Sequence, residues 1–486
     1  MENVIRKFKI NKNNPNSYLL SKIIFNNIIK LSNTTTSKLI LNNFSNIFEM
    51  PKGVLKIKYN RLIHDSFNYS SSKFNNNIFI SGLLKESMKS IIIFLILFFP
   101  KKDRKINNYN FIINGIDDER AFQRYEKLIK KFKSSLVISS RRLKIKKKKI
   151  SFLKNSKFNR INYFAVKGKR LKIFYLFLKV LIQSIIKNFN YIYFFNLILF
   201  SIISNYSIFY NNRGKYFMED RFYNTCSIRN YFFKKFGGKV TSTPQKNIVD
   251  TCISLFLDTD IFFSLGDEKY SVSRLRKFGG RINKSIPVGS FFLEHDWYRK
   301  RKDLSKVPKN EILIMGLNPN TFLQINNLNY RNYEYISRKW VKDISKLYPK
   351  AKVMIKHHSN LKDNSLEKNF FEDSNVVSLI DDNSNNRSYG YIYQSKIIFS
   401  FASTTTLEAI SMNKQSYFID PGFGSTNFFY DLNNLNKIRV GSFESFKKII
   451  KKNLLNNFKK NLDRNKYCLK SDKVSERVYK YYKTIK

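Results

Sequence analysis

Short apolar runs alternate with segments of helical periodicity along most of the chain, most clearly after residue 310. The runs have the length of strands, and the segments between them repeat apolar residues every three or four positions, as helices do. Predicted strands are 312–317, 352–356, 376–380, 396–401 and 416–419, and predicted helices are 330–347, 388–394 and 404–412. This alternation is typical of a parallel sheet covered by helices on both faces.

A second series of the same kind lies upstream. Its predicted strands are 111–114, 135–138, 206–210, 239–243 and 261–264, and its predicted helices are 117–132, 219–236 and one that ends at 278. We therefore predict an α/β fold of two Rossmann-like domains that face a central cleft. In such folds ligands bind beyond the carboxyl ends of the strands, so chemistry is expected in the loops that follow them.

The same pattern places the domain boundaries. The basic stretch Arg299-Lys300-Arg301-Lys302 and Pro308 mark the predicted linker between the two series. The division is an N-terminal region of unclear structure at 1–110, a first Rossmann-like domain at 111–290, a linker at 291–310, a second Rossmann-like domain at 311–455 and a basic C-terminal tail at 456–486.

Two apolar segments raise the question of a membrane. Ile91 to Phe99 is too short to span a bilayer. Residues 171–203 are longer, but Lys172, Lys179 and Lys187 interrupt them near one helical face, which favours an interfacial or core helix over a spanning one. The N-terminus lacks the apolar core of a secretory signal, so we predict a cytoplasmic protein.

Composition excludes several classes of protein. The chain has 486 residues and is 43% hydrophobic, which predicts sizeable cores and excludes collagen and small disulfide scaffolds. Cys226, Cys252 and Cys468 are too few and too scattered for a disulfide framework or a cysteine zinc site. With only four histidines, we predict neither a metal nor a cofactor.

The formal charge of +54 is unevenly distributed. Residues 1–310 carry +41, whereas residues 311–450 carry only +4, so the N-terminal part is expected to face an anionic membrane, glycan or nucleic acid. The run from Arg141 to Lys149 has seven cations in nine residues and fits anionic lipid head groups, although a solvated loop is the commoner fate of such a run. No recognised nucleic-acid motif accompanies it, which argues against nucleic acid.

Two loops carry side chains suited to an anion. Lys356 and the histidines His357 and His358 follow a predicted strand, where they suit a diphosphate, although adjacent surface histidines often have no function. Ser403 and Thr404 come before a predicted helix, with Glu408 one turn in, and ordinary helix capping is the alternative there. Glycine-rich phosphate loops and the common hydrolase and zinc motifs are absent.

Several short motifs occur in a characteristic order between residues 206 and 450. They are Asp258-Thr-Asp260-Ile-Phe-Phe-Ser-Leu-Gly266, Leu275 to Gly280, Ile286-Pro-Val-Gly289-Ser290, Val353-Met-Ile-Lys356-His-His358, Ile398-Phe-Ser-Phe-Ala-Ser403-Thr-Thr-Thr-Leu-Glu408 and Ser416-Tyr-Phe-Ile-Asp420-Pro421. Their order and spacing resemble those of GT-B type transferases that build bacterial surface and capsular polysaccharides, including relatives that transfer polyol phosphates from CDP-linked donors.

The resemblance implies roles for individual residues. Lys356 and His358 would contact the donor diphosphate, Ser403, Thr404 and Thr405 would cap it, and Glu408 would accept hydrogen bonds from the ribose. The resemblance also implies an N-terminal acceptor domain and a C-terminal donor-nucleotide domain, without a bound metal. His357 and Ser359 stand where the family has prolines, and Pro244-Gln245-Lys246-Asn247 stands where many relatives have Gln-His-Gly, so no catalytic histidine can be transferred.

An inverting transfer still needs a base for the acceptor hydroxyl, and we expect it in a loop of the N-terminal sheet. Clusters of acidic residues at two predicted helix starts, and one just past Ser290, provide the possibilities, with plain helix capping as the alternative for each. Asp118 is slightly favoured among Asp117, Asp118, Glu119, Glu219, Asp220, Glu294, His295 and Asp296.

The preferred hypothesis is a glycosyltransferase that moves a sugar from a nucleotide-diphosphate or CMP donor to a surface polysaccharide or lipid-linked glycan. Its partners would be the nucleotide sugar, the acceptor and the anionic inner face of the cell membrane, to which it would bind peripherally. One alternative is a CDP-polyol phosphotransferase of teichoic-acid type, which would use the same diphosphate site. The other is a basic nucleic-acid or membrane-binding protein without catalysis.

Overall fold

The computed structural model describes most of the chain. The described residues are 17–69, 76–98, 106–141, 143, 145, 149–154, 168–221, 225–243, 256–267, 269–277, 279–298, 310–315, 328–356, 370–379, 387–400, 403–421, 436–456 and 463–484. They form two parallel sheets with helices packed on them, which confirms the predicted α/β fold of two Rossmann-like domains.

The N-terminal sheet has seven strands in the order β3-β2-β1-β4-β5-β6-β7, and every pair is parallel. The strands are β1 (Asn107–Asn114), β2 (Ser135–Ser139), β3 (Ile150–Lys154), β4 (Asn212–Glu219), β5 (Lys239–Ser242), β6 (Asp258–Ser264) and β7 (Arg281–Pro287). Apolar side chains are buried on both faces, as in Phe111, Ile112 and Ile113 of β1, so the strands read as continuous apolar runs.

One face of this sheet carries a thick helical layer. It contains α1 (Ser17–Ser32), α2 (Thr35–Phe48), α3 (Lys52–Tyr69), α4 (Asn76–Phe98), α6 (Arg170–Ile186), α7 (Tyr191–Asn211) and α8 (Ser227–Lys235). The other face packs against α5 (Glu119–Ile129) and a C-terminal helix. The region before residue 110, whose structure the sequence left unclear, therefore forms four helices between Ser17 and Phe98 where it is described, contributes the start of β1, and packs on the N-terminal sheet.

The C-terminal sheet has six parallel strands in the order β10-β9-β8-β11-β12-β13. They are β8 (Asn310–Met315), β9 (Val353–Lys356), β10 (Val376–Leu379), β11 (Ser395–Ser400), β12 (Gln415–Ile419) and β13 (Arg439–Val440), and the helices between or after them are α11 (Leu328–Leu347), α12 (Arg387–Gln394), α13 (Thr405–Ser411) and α14 (Phe443–Asn456). The helix α9 (Lys269–Lys277) connects β6 to β7, and a short α10 (Phe291–Leu293) lies between the two series.

The segments between and after the domains are also built into the structure. Leu293 and Trp297, in the region predicted as a linker, are buried against Leu313 of the C-terminal sheet. The region predicted as a basic tail contains α15 (Arg464–Tyr467) and α16 (Val474–Thr484), and α16 crosses back to the N-terminal sheet. There the Tyr482 hydroxyl lies 2.5 Å from the Thr241 hydroxyl.

Two predicted elements were wrong. The segment 206–210, predicted as a strand, forms the last turns of α7, and the helix predicted at 219–236 begins only at Ser227 because residues 212–219 form β4. The aromatic run from Tyr206 to Tyr210 has high strand propensity. In the folded chain that preference is overridden by a 21-residue helix with fourteen buried positions.

The long apolar segment 171–203 divides into two helices. Among the described residues, α7 alone has the length and composition of a membrane span, and 72% of its apolar window is buried inside the protein. Its buried side chains cover the N-terminal sheet, so α7 acts as a core helix in this structure. The preceding helix α6 has one buried and one exposed face.

Candidate functional site

The two sheets meet at their carboxyl edges. Ser290 follows the end of β7, and Glu408 lies on α13, directly after β11. The Ser290 hydroxyl donates to Glu408 Oε1 at 2.5 Å, and the Tyr389 hydroxyl of α12 donates to Glu408 Oε2 at 3.0 Å. Because ligands of such sheets bind beyond the carboxyl ends of the strands, this junction places two ligand-binding edges next to each other.

Glu408 is buried at this junction. Burial raises its pKa to about 7, although the hydrogen bonds from Ser290 and Tyr389 oppose the rise. Both carboxylate oxygens are already engaged within the protein. For Glu408 to accept a ribose hydroxyl, as the family resemblance implies, the ribose would have to share one of these oxygens with Ser290 or Tyr389.

The raised pKa of Glu408 predicts a pH-dependent effect of Glu408→Gln. Since the folded state holds the proton more tightly than the unfolded state, Glu408 makes the wild type lose stability as pH rises from about 4.5 towards about 7. The variant lacks this loss. Its melting temperature relative to wild type should therefore rise between pH 5 and pH 8, by about 1 °C per kcal/mol for a chain of 486 residues.

Thermal melts of both proteins across this pH range check the expectation. The exposed Glu444→Gln is the matched control and should show no such trend. A constant difference in melting temperature between Glu408→Gln and wild type across this pH range would mean that burial does not raise the pKa of Glu408.

The donor-side residues lie along one edge of the C-terminal sheet. Lys356 ends β9, is buried, and stands opposite Met315 of the neighbouring strand β8. Ser403 and Thr404 are half-buried, and the Ser403 hydroxyl accepts from the backbone N–H of Thr405 at 3.3 Å, while Thr404 makes no side-chain cap. His358 lies outside the described residues.

The favoured base, Asp118, is exposed and caps α5. Its Oδ1 accepts from the backbone N–H of Ala121 at 2.6 Å, as an N-cap carboxylate does. The capping alternative therefore describes what Asp118 does in this structure, and its role as a base stays a prediction.

Glu219 and Asp220 are fully buried at the end of β4. Glu219 is paired with Arg229 and accepts from Asn114 Nδ2 at 3.0 and 3.1 Å, whereas Asp220 accepts from the Tyr125 hydroxyl at 2.5 Å. Burial raises the pKa of Glu219 to about 7 and that of Asp220 to about 6, against the opposing effects of these partners. The pKa values of both carboxyl groups therefore lie near neutral pH, although neither group is in direct contact with solvent.

His295 is buried beside the junction. Its Nδ1 lies 2.6 Å from Asp296 Oδ1, and Arg120 approaches Asp296 Oδ2 at 3.4 Å. Burial alone would raise the pKa of Asp296, but the hydrogen bond from His295 and the charges of Arg124 and Arg120 outweigh it and lower the pKa. The arrangement fixes the orientation of the imidazole, as a carboxylate partner of a histidine does.

A cavity of about 280 Å³ opens at the carboxyl edge of the N-terminal sheet. Its wall at the sheet is formed by the loops that follow β1, β2 and β4, and the opposite wall comes from α3. It is lined by Lys58, Arg61, Asp65, Asn114, Gly115, Asp117, Ser140, Thr225 and Cys226. Gly115 has φ +93°, and a Cβ there would lie 3.2 Å from Glu219 Oε1, so a residue without a side chain separates Glu219 from the cavity.

Asp117 has the geometry of an oriented carboxylate in this cavity. Its Oδ1 accepts from the backbone N–H of Ser140 at 3.0 Å and from the Ser140 hydroxyl at 2.7 Å. No described residue donates to Oδ2. One oxygen is therefore held while the other is available to a bound group.

The α3 residues are the part of the site that the sequence did not reveal. Asp65 accepts from Arg61 Nε at 3.2 Å and lies 3.2 Å from His64 Nδ1, so its oxygens are engaged. Lys58 forms no ion pair with a described residue, and together with Arg229 it lowers the pKa of the Cys226 thiol against the effect of burial. No clear signal for them is present in the sequence, because residues 52–69 have only a weak helical period of apolar positions.

Among the described residues, no group of three or more His, Cys, Asp or Glu side chains could hold a metal ion. The charged groups of the site are instead arranged as carboxylates paired with Lys, Arg or hydroxyl partners.

Comparison with known proteins gives structural likeness only. No family model and no curated protein matches the chain. Similar solved structures include the UDP-GlcNAc 2-epimerase of Neisseria meningitidis bound to UDP-GlcNAc, with TM-score 0.46, 11% identity, and coverage of 77% of this chain and 99% of that one. Another is S. aureus MnaA with UDP, with TM-score 0.45, 12% identity, and coverage of 78% and 98%.

A third similar structure is the wall teichoic acid polymerase TagF, with TM-score 0.41, 10% identity, and coverage of 84% of this chain and 98% of that one. Two of these structures are thus named as an epimerase and a polymerase, and two hold a uridine nucleotide or nucleotide sugar. At these TM-scores the likeness does not establish an activity for this chain.

Proposed function

We propose that this chain is a nucleotide-sugar-dependent glycosyltransferase that acts on a surface polysaccharide or a lipid-linked glycan. The observation that supports the proposal is the meeting of two carboxyl edges at Glu408 and Ser290. One edge offers the cation of Lys356 and the hydroxyls from Ser403 onward to a donor diphosphate. The other offers a cavity with an oriented carboxylate, Asp117, to an acceptor hydroxyl.

The chemistry of glycosyl transfer requires a different group at each of the two substrates. A base near the acceptor hydroxyl takes its proton as the new bond forms, and a cation near the diphosphate stabilises the charge that develops on the leaving group. Placing the two groups on different sheets lets one domain bind the donor and the other bind the acceptor.

A second candidate is transfer of a polyol phosphate from a CDP-linked donor. It would use the same diphosphate edge, and the half-buried Lys58, which has no described ion-pair partner, fits an acceptor that carries phosphate. Analysis of the product separates the two, since only this reaction leaves CMP and adds phosphorus to the acceptor.

The diphosphate site predicts that Lys356→Ala weakens binding of UDP and CDP sugars by about 1–3 kcal/mol, the cost of a lost charge-assisted hydrogen bond. A thermal-shift screen against UDP, GDP, CMP and CDP sugars first identifies the donor, because a ligand of the folded state raises the melting temperature. Titration of that donor and of inorganic diphosphate then compares the variants.

The control is Lys352→Ala, an exposed lysine just before the same strand, which should bind normally. Glu408→Ala should weaken nucleotide affinity but leave inorganic diphosphate affinity unchanged, in keeping with a ribose role. Normal donor binding by Lys356→Ala would refute the diphosphate site, and equal losses of both ligands in Glu408→Ala would refute the ribose role.

A further inference from the structure

Two helices on the outside of the N-terminal layer carry most of the exposed apolar surface. The described part of the chain has seventeen exposed large hydrophobic side chains, and thirteen of them lie on α4 and α6. Six lie between Ile80 and Leu95, and seven lie between Leu171 and Ile186. Such a concentration differs from the scattered apolar residues of ordinary surfaces and marks a contact site.

The exposed positions follow the helical repeat. On α6 they include residues 171, 174, 175, 178, 182 and 185, which share one face, while Ile173, Phe177 and Val180 point to the core. The helix is therefore apolar on both sides. On α4 the opposite face is held by polar contacts, since Asn196 of α7 donates to the Glu86 carbonyl at 2.8 Å and accepts from Ser90 at 2.6 Å.

The two exposed faces form one surface. Phe94 of α4 packs against Phe174 and Phe177 of α6, with ring centroids 5.6 and 5.8 Å apart. We define the α4/α6 face as the exposed apolar residues of these two helices. Because the inner side of α6 is buried in the protein, a partner can meet this face only from outside, with the helices lying along the contact plane.

The charge around the α4/α6 face is predominantly positive. Glu86 of α4 is buried and is paired with Lys89. Residues 127–218, which include α6, contain 22 Lys and Arg and no Asp or Glu. Lys172, Lys179 and Lys187 are exposed beside the apolar face, and so are Lys85 and Lys89 of α4. The Lys179 ammonium also lies 4.3 Å from the centre of the Tyr175 ring. An apolar stripe flanked by cations is complementary to a layer that is apolar inside and anionic at its surface.

We propose that the α4/α6 face docks on an anionic lipid bilayer, with its apolar side chains at the boundary between head groups and acyl chains and its lysines on lipid phosphate. This goes beyond the proposed transfer reaction and does not depend on it. The helix α3, which supplies Lys58 and Arg61 to the cavity, belongs to the same helical layer. Docking therefore brings to the membrane surface the helical layer that also forms one wall of the cavity.

The test is cosedimentation of the full chain with vesicles of phosphatidylglycerol and phosphatidylcholine, and with vesicles of phosphatidylcholine alone. The apolar variant carries Leu171→Gln, Ile182→Gln and Ile185→Gln, whose side chains are 83%, 55% and 60% exposed, so the fold should be unaffected. Its affinity for anionic vesicles should fall on the order of a hundredfold. The control carries Tyr335→Gln and Leu347→Gln, exposed apolar residues on α11, and should bind like wild type.

A charge variant with Lys172→Gln, Lys179→Gln and Lys187→Gln should lose on the order of tenfold or more, and wild-type binding should weaken with salt and be poor on neutral vesicles. Melting temperatures check that each variant folds. Replacing Lys146 to Lys149 with Gln tests the cationic run that the sequence singled out, of which 146–148 lie outside the described residues, and should cost less than the apolar variant.

Three results would overturn the proposal. The first is unchanged vesicle affinity of the folded apolar variant. The second is loss of binding on replacing Lys146 to Lys149 while the apolar variant binds normally. The third is a wild-type oligomer, seen by light scattering, that does not bind vesicles and becomes monomeric in the apolar variant, because the face would then be an interface between protein copies.

Discussion

Asp117→Asn should lower turnover by a factor on the order of 10² to 10⁴ while donor affinity stays near normal. Asp117 lines the cavity of the N-terminal sheet, and Ser140 holds its Oδ1 while Oδ2 has no donor among the described residues. A carboxylate held in this way can accept a proton from an acceptor hydroxyl without first breaking a contact of its own. Asp65, the other carboxylate of the cavity, is engaged by Arg61 and His64 and is less suited.

The neighbouring residue offers a matched control. Asp118→Asn changes the same functional group one position away, but at an exposed helix cap outside the cavity. Asn also caps helices well, so both stability and turnover should stay close to wild type. The measurement is release of nucleotide from the donor that the thermal-shift screen identifies. Loss of turnover in Asp118→Asn with normal turnover in Asp117→Asn would restore the base predicted from sequence.

If neither aspartate is needed for turnover, the buried side chains of Glu219 and His295 are the remaining candidate bases. Glu219 is separated from the cavity only by Gly115 and by Asn114, and His295 is oriented by Asp296 at the junction. Either would need a local opening to reach a substrate. Normal turnover in variants of Asp117, Glu219 and His295 would remove the support for a transferase with its base on the N-terminal sheet.

The C-terminal sheet could be predicted closely because its elements are specified locally. The predicted strand 352–356 is observed as Val353–Lys356, and the predicted helix 330–347 as Leu328–Leu347. In these segments a compact apolar run or a 3.6-residue repeat is followed by polar residues, so the pattern and the packing agree.

The N-terminal sheet and its helical layer could not be predicted as closely, because their contacts join segments far apart in sequence. Strand β3 and the return of α16 to the N-terminal sheet depend on pairings that no local pattern encodes. The cavity is the clearest case. Residues 58–65 form an unremarkable Lys- and Asn-containing helix in sequence, and only packing places Lys58 and Asp65 opposite Asp117.

The same lesson applies to Asp118. Asp118 lies between a strand and a helix, as its sequence position predicts, but the choice between adjacent aspartates depends on which carboxylate caps the helix and which faces the cavity. That choice is made by Ser140, whose backbone and side chain bind Asp117 from the end of the neighbouring strand. Position in sequence therefore identified the loop, and tertiary contact separated its two carboxylates.

The largest expected effect on stability comes from the ion pair beneath the cavity. Glu219 is fully buried and is paired with Arg229 of α8, whose guanidinium also lies 5.1 Å from the centre of the Phe217 ring. Arg229→Met keeps the packing on Phe217 but removes the positive charge. Removing one partner of a buried pair costs about 3–5 kcal/mol, because the remaining charge is left without compensation.

The cost of Arg229→Met should depend on pH in a defined direction. Burial raises the pKa of Glu219 to about 7 even with Arg229 present, so the wild type loses stability as pH rises from about 4.5 to about 7. Without Arg229 the folded pKa rises further, and the loss continues above pH 7 in the variant alone. Unfolding by urea should therefore show a larger difference from wild type at pH 8.5 than at pH 6.

The double variant Glu219→Gln with Arg229→Met tests the cause of this loss. It removes both charges and leaves Asn114 with a neutral partner, so it should recover at least half of the stability that Arg229→Met loses at pH 8.5. It should also abolish the difference between pH 6 and pH 8.5. A double variant as unstable as Arg229→Met at both pH values would show that the guanidinium acts through packing on Phe217 and not through the Glu219 carboxylate.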